Sequence, residues 1–133
     1  MSTDRITLTV PAKGEYAKTV RMAAAALVSR MDMSYDDVDD VRIAAEEAFV
    51  YACDAEPESG DVTLHFTVSD DGIEIEVPIA SGARSSSEEA ERRSAYATFI
   101  LQSVCDRYEL SSDETGAWLR LVKHAGPVSV DAD

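Results

Sequence analysis

Positive charge is scarce in this sequence: 12 Lys and Arg stand against 26 Asp and Glu, a formal net charge of −14. A chain that acidic repels the phosphate backbone of nucleic acids and anionic lipid headgroups, so no direct nucleic-acid or membrane partner is expected. Long apolar runs are missing too. Nothing approaches the roughly 20 apolar residues that a membrane-spanning helix needs. The opening MSTDRITLTV lacks the basic start and apolar core of a secretion signal, which leads to an expectation of a cytoplasmic protein. Cysteine is limited to Cys53 and Cys105, which lie far apart, form no CxxC pair and have no histidine cluster beside them. They read as two buried free thiols. The two histidines, His65 and His124, have no partner spacing for metal or acid–base work, so structural placement is expected for both and no metal site is expected.

What the chain does have suffices for one domain. Its 133 residues, 45% of them hydrophobic, can enclose a single core, and no internal repeat divides them. We take residues 1–124 as the domain and 125–133 as a flexible acidic tail. RITLTV alternates from Arg5 to Val10 and ends at Pro11, as an opening strand does. Tyr16, Val20, Ala23, Ala24, Leu27, Val28 and Met31 then recur at helical spacing, leaving Lys18, Arg21 and Arg30 to solvent. Ser34, followed by Asp37, predicts an N-cap with acid in the first turn. From there Val38, Val41, Ala45, Ala48 and Ala52 form a small-residue stripe that ends near Cys53. DVTLHFTVS and IEIEVPI flank Asp70, Asp71 and Gly72 as a hairpin, with Ile73, Ile75 and Val77 on one face and Glu74 and Glu76 on the other.

A polar stretch, ASGARSSSEEAERRS, leads into a third helix whose expected apolar positions are Tyr96, Phe99, Ile100, Ser103 and Val104. Ser85 with Glu88, or Ser86 with Glu89, would form its capping box. RYELS and AWLRLVK close the chain as a hairpin around SDETG. The order strand, helix, helix, strand, strand, helix, strand, strand predicts an α+β two-layer sandwich: a mainly antiparallel sheet with three helices on one face.

The strings VPAKGEYAKTVRMAAAALVSRM, YDDVDDVRIAAEEA, VSDDGIEIEV and TFILQSVCDRYEL, in this order and spacing, resemble the anti-sigma-factor serine kinases of the histidine-kinase-like ATPase superfamily. The resemblance runs from Arg5 to Lys123. It implies that superfamily's fold, a sigma factor or its antagonist as partner, a homodimer, and ATP-dependent phosphorylation of a serine on the antagonist. The nucleotide site that it implies has four parts. Glu47 matches the glutamate that serves as general base. Tyr51 stands where the magnesium-binding asparagine belongs, and a neutral phenol is a poor ligand for a hard ion. Ala80 replaces the aspartate that accepts a hydrogen bond from adenine, while Gly82 is kept. Ala95 and Ala97 replace the glycines of the phosphate turn, with Tyr96 between them.

These departures lead to the expectation of a protein-binding regulator with a degenerate pocket at Glu47, Tyr51, Ala80, Gly82, Ala95 and Ala97 and no bound cofactor. Tyr51 is expected to fill the old cavity, with its hydroxyl at the pocket mouth. Arg92 and Arg93, among Glu88, Glu89 and Glu91, read as a mixed-charge solvated face. Lys18 and Arg21 are the expected partner-binding cations. Two alternatives stand beside this reading. One is an active kinase that uses ATP and magnesium, with Glu47 at work and Asp54 as a substitute ligand. The other is a homodimeric scaffold.

Overall fold

Alternation produces the strands, amphipathic spacing the first two helices, and Ser34 the cap of the second. The computed structural model describes residues 3–56, 59–80 and 88–126. Strand β1 (Asp4–Pro11) leads through a short 3-10 turn at Gly14–Tyr16 into α1 (Ala17–Val28), α2 (Tyr35–Ala55), β2 (Asp61–Ser69), β3 (Gly72–Ile79), α3 (Glu88–Val104), β4 (Arg107–Asp113) and β5 (Gly116–His124). The strands form one antiparallel sheet in the order β1-β2-β3-β5-β4. The α+β architecture expected from the element order is therefore present.

Register follows from the two hairpins. Ser69 pairs with Gly72 across the two-residue turn Asp70–Asp71, and Gly72 adopts φ +146°, where its backbone lies so near the Lys123 carbonyl that a side chain would collide with it. Glycine is required there. Phe66 then faces Ile75, and Ile75 faces Leu121 on β5, so an apolar band crosses the sheet beneath the helices. Glu74 and Glu76 point to the other face, where Glu74 accepts from Arg120 Nε at 2.8 Å.

The helices close the core with small residues. Val20, Ala24 and Val28 of α1 meet α2, whose Ala44, Ala45, Ala48, Ala52 and Ala55 allow close approach, and Phe49 fills the deepest position. Ser34 caps α2, its Oγ accepting the Asp37 amide at 3.0 Å. At the same end, Lys123, 13% exposed, donates to Asp40 Oδ2 and to the Val104 carbonyl, each at 3.1 Å, and lies 3.5 Å from Asp37. One cation thus ties α2, the end of α3 and β5 together; its desolvation lowers its pKa, but the hydrogen bond to Asp40 and the charges of Asp40, Asp106 and Asp37 together outweigh that and raise it.

The third helix departs from expectation. Its buried positions among the described residues are Ala97 and Leu101, and the expected Val104 packs partly buried against the core, while Tyr96 and Phe99 are 62% and 64% exposed. Bulk misled the reading: the stripe that faces the core begins with an alanine. The cysteines are free and only partly buried, and burial pushes their thiols up to about 11 at Cys53 and about 12 at Cys105. Ala125 and Gly126, read as tail, donate backbone hydrogen bonds to Asp71 and Asp32 at 2.8 and 2.7 Å. The proposed capping serines, Ser85 and Ser86, and residues 127–133 lie outside the described residues.

Candidate functional site

A helix can present different chemistry to each neighbour, and α2 does so. Glu46 faces α1, where Arg21 Nη1 donates to it at 2.9 Å. Glu47, Tyr51 and Asp54, spaced four and then three apart, run along the side toward α3. Arg93, near the start of α3, donates from Nε to Asp54 Oδ2 at 3.1 Å and from Nη2 to Oδ1 at 3.4 Å, and its Nη1 lies 3.8 Å from Glu89. The two-pronged contact with Asp54 closes α3 over the end of α2.

Tyr51, one turn before Asp54, is 8% exposed and part of the hydrophobic core. Its phenol is near enough to Tyr108 on β4 to help raise that group's pKa, although burial is the larger cause. Glu47, one turn earlier, is partly buried, and desolvation followed by the charge of Glu46 raises its pKa. A carboxyl so placed holds a proton more readily than an exposed glutamate does.

The remaining pocket residues lie as follows. Ala80 follows β3 and packs against the core, and its methyl group accepts no hydrogen bond. Gly82 lies outside the described residues. Ala95 and Ala97 fall in the middle of α3, which is continuous from Glu88 to Val104. Interior helix amides donate to carbonyls four residues back, which leaves none at these positions to cradle an anion. Asp54, the substitute magnesium ligand of the kinase alternative, is engaged by Arg93. Among the described residues no group of three or more His, Cys, Asp and Glu is arranged to hold a metal ion.

The expected partner cations separate. Lys18 is exposed on α1, whereas Arg21 is partly buried in its pair with Glu46, and its Nε finds no hydrogen-bond partner among the described residues. Arg21 is thus a link between α1 and α2, and the local positive spot reduces to Lys18. Arg93 likewise belongs to a cross-helix pair, while Arg92 stays exposed. His65 Nδ1 lies 3.2 Å from Thr7 Oγ1 across β1 and β2, a structural contact. The sequence reading missed the Arg93–Asp54 link and the nearness of Tyr51 to Tyr108, which join residues 39 and 57 positions apart in sequence. The only advance signal was a lone basic pair at the start of a helix facing an acidic helix end.

Comparison with known proteins agrees with this architecture. The profile of the histidine kinase-like ATPase domain matches residues 10–123. The serine-protein kinase RsbW of Oceanobacillus iheyensis is 25% identical over 98% of this chain and 92% of its own length, and that of Bacillus pumilus is 26% identical over 98% and 91%. The serine-protein kinase RsbW of Bacillus licheniformis is 37% identical over a shorter stretch, 56% of this chain and 48% of its own length.

Proposed function

This chain belongs to the histidine kinase-like ATPase domain family, and we propose that it acts within that family as an anti-sigma-type regulator that works by protein binding rather than by phosphoryl transfer. The observation that carries the reading is the burial of Tyr51 between α2 and the elements beside it. A ring there takes up space that a nucleotide phosphate would need, and it supplies no compact oxygen for magnesium. Three further features support it. Ala80 offers nothing to adenine, the amides of Ala95 and Ala97 sit within a helix, and Arg93 engages Asp54. The residues present do not fit a magnesium nucleotide.

The partners that this reading implies are a sigma factor or the antagonist that releases it, since full-length relatives carry the name serine-protein kinase RsbW. One observation favours the kinase alternative: Glu47 keeps the raised pKa of a proton acceptor on the correct helix. The test is to mix the purified protein, without nucleotide, with each sigma factor and each small antagonist protein of its host. A stoichiometric complex by gel filtration in the absence of ATP is expected. No complex with any of them, or serine phosphorylation of an antagonist once ATP and magnesium are added, would overturn the reading.

A further inference from the structure

The sheet has two edges, and they differ. Strand β4, which touches α3, is one, and β1 is the other. β1 pairs with β2 along its whole length, from Asp4 opposite Val68 to Pro11 opposite Asp61, so the amides and carbonyls on its far side have no strand among the described residues to receive them. Beside its first residues a groove of about 640 Å³ opens between β1, the end of α1 and the β2–β3 turn. Ile6, Leu27, Met31 and Val68 form its floor and are only partly buried. Asp4, Asp32 and Asp70 stand on its rim with Arg30, all four exposed, and no ion pair among the described residues engages any of them.

An unpaired strand edge next to an apolar groove is a template for an extended chain, and the rim says of which kind. Three carboxylates against one guanidinium leave the mouth negative. The residues that follow Gly126, PVSVDAD, carry two aspartates and no cation, and a second copy brings a charge of −14, so neither complements this rim. Side chains alternate along a strand, so Asp4 and Ile6 lie on the groove side of β1 while Arg5 and Thr7 lie on the other. A cation on an added strand therefore finds carboxylates on the groove side and Arg5 on the outer side.

We propose that the β1 edge and its groove take up an extended, basic segment of another protein by strand addition. On the groove side the segment places basic residues beside Asp4, Asp32 and Asp70 and, at the next alternate positions, apolar residues on Ile6 and Met31. On the outer side, next to Arg5 and Thr7, it carries small polar residues. Backbone pairing with β1 supplies affinity, and the groove selects the sequence. This surface is separate from the cation discussed above, since Lys18 lies at the opposite end of α1, roughly 15 Å away along the helix. The inference holds whether or not the chain takes a nucleotide.

The test follows the backbone amide signals of the isotopically labelled full chain by NMR at about 0.15 M salt, where the screening length is roughly 8 Å. Adding the peptide acetyl-TKTKTLTVT-amide should shift the amides of Asp4 to Leu8, of Met31 and Asp32, and of Val68 to Asp70, and should slow hydrogen exchange on the outer edge of β1. Replacing the peptide's lysines by glutamate should abolish binding. N-methylation of the alternate amides on one edge of the peptide should also abolish it, while N-methylation of those on the other edge should leave it unchanged, because only one edge can pair with β1. Asp4→Asn, Asp32→Asn and Asp70→Asn combined should weaken binding at least tenfold without lowering the melting temperature, whereas the same loss of charge through Glu15→Gln, Asp36→Asn and Glu114→Gln should not weaken it so. No shift of the β1 and groove amides, equal binding of the glutamate peptide or of both N-methylated peptides, or an equal loss from the distant substitutions would each overturn the proposal. So would a shift of the same amides when the protein alone is concentrated, which would give the surface to a second copy.

Discussion

The two helices that flank α2 do different work. On one side, α1 buries Val20, Ala24 and Val28, and a single partly buried pair, Arg21 with Glu46, fixes its position. On the other side, α3 buries Ala97 and Leu101, links to α2 through the more exposed Arg93–Asp54 pair, and turns Tyr96 and Phe99 outward. The first contact is scaffold. The second covers the side of α2 that carries Glu47, Tyr51 and Asp54, with a helix that turns Ala97 and Leu101 inward and Tyr96 and Phe99 outward. On the proposed reading, one flank keeps the fold while the other changes, because the core needs only volume from each helix whereas a ligand needs specific atoms.

That contrast can be broken most directly at Tyr51. Replacing it by alanine removes a large buried ring, and the account expects a loss of about 3 kcal/mol in chemical denaturation. An unchanged midpoint would place the ring in solvent and leave the α3 flank without its filler. On the α1 flank the effect should be smaller: Arg21→Ala should cost about 1 kcal/mol, since the pair is partly exposed and its loss strands Glu46. A larger loss from Arg21 than from Tyr51 would reverse the assignment of scaffold and filled site.

Glu47 sharpens the comparison through pH. Its folded pKa is raised, so the folded state holds the proton more tightly than the unfolded chain does. Stability from this group is full below the ordinary glutamate range and is lost as pH rises through the raised value. Glu47→Gln should therefore be more stable than the wild type at pH 7, by no more than about 0.5 kcal/mol because the group is largely screened by solvent. The gain should vanish in acid. A gain that persists below the glutamate range would show that charge is not its cause. The smallest effect on stability is expected from Arg93→Ala, whose side chain is about half exposed. Its signature should instead be faster hydrogen exchange in the first turns of α3, with the rest of the helix unchanged.

How much of this was legible in the sequence depended on the range of the interaction. The β2–β3 hairpin could be read because alternation, two aspartates and Gly72 all act within a few residues. The α1 stripe and the Ser34 cap were equally local. On α2 the stripe of Val41, Ala45, Ala48 and Ala52 was read, but Phe49 and Ala44, both buried, were not, because a helix beneath two neighbours buries more than one stripe. The face of α3 was assigned by bulk to Tyr96 and Phe99, when the helix in fact packs through Ala97 and Leu101. Nothing local distinguishes a small inward residue from a small outward one. The candidate site was legible as a set of substitutions at Tyr51, Ala80, Ala95 and Ala97. The pairs that shape it, Arg93 with Asp54 and Arg21 with Glu46, depend on which helices lie side by side and so needed the fold.

The central claim of the proposed reading is that the α3 flank does not take a magnesium nucleotide, and calorimetric titration of the protein with ATP and magnesium, paired with its melting temperature in the same buffer, tests it most directly. A ligand of the native state at a hundredfold excess over its dissociation constant adds about 2.7 kcal/mol of stability, an effect no thermal melt would miss. The account predicts no heat of binding and no melting shift at millimolar ATP with magnesium; saturable heat together with a raised melting temperature would contradict it.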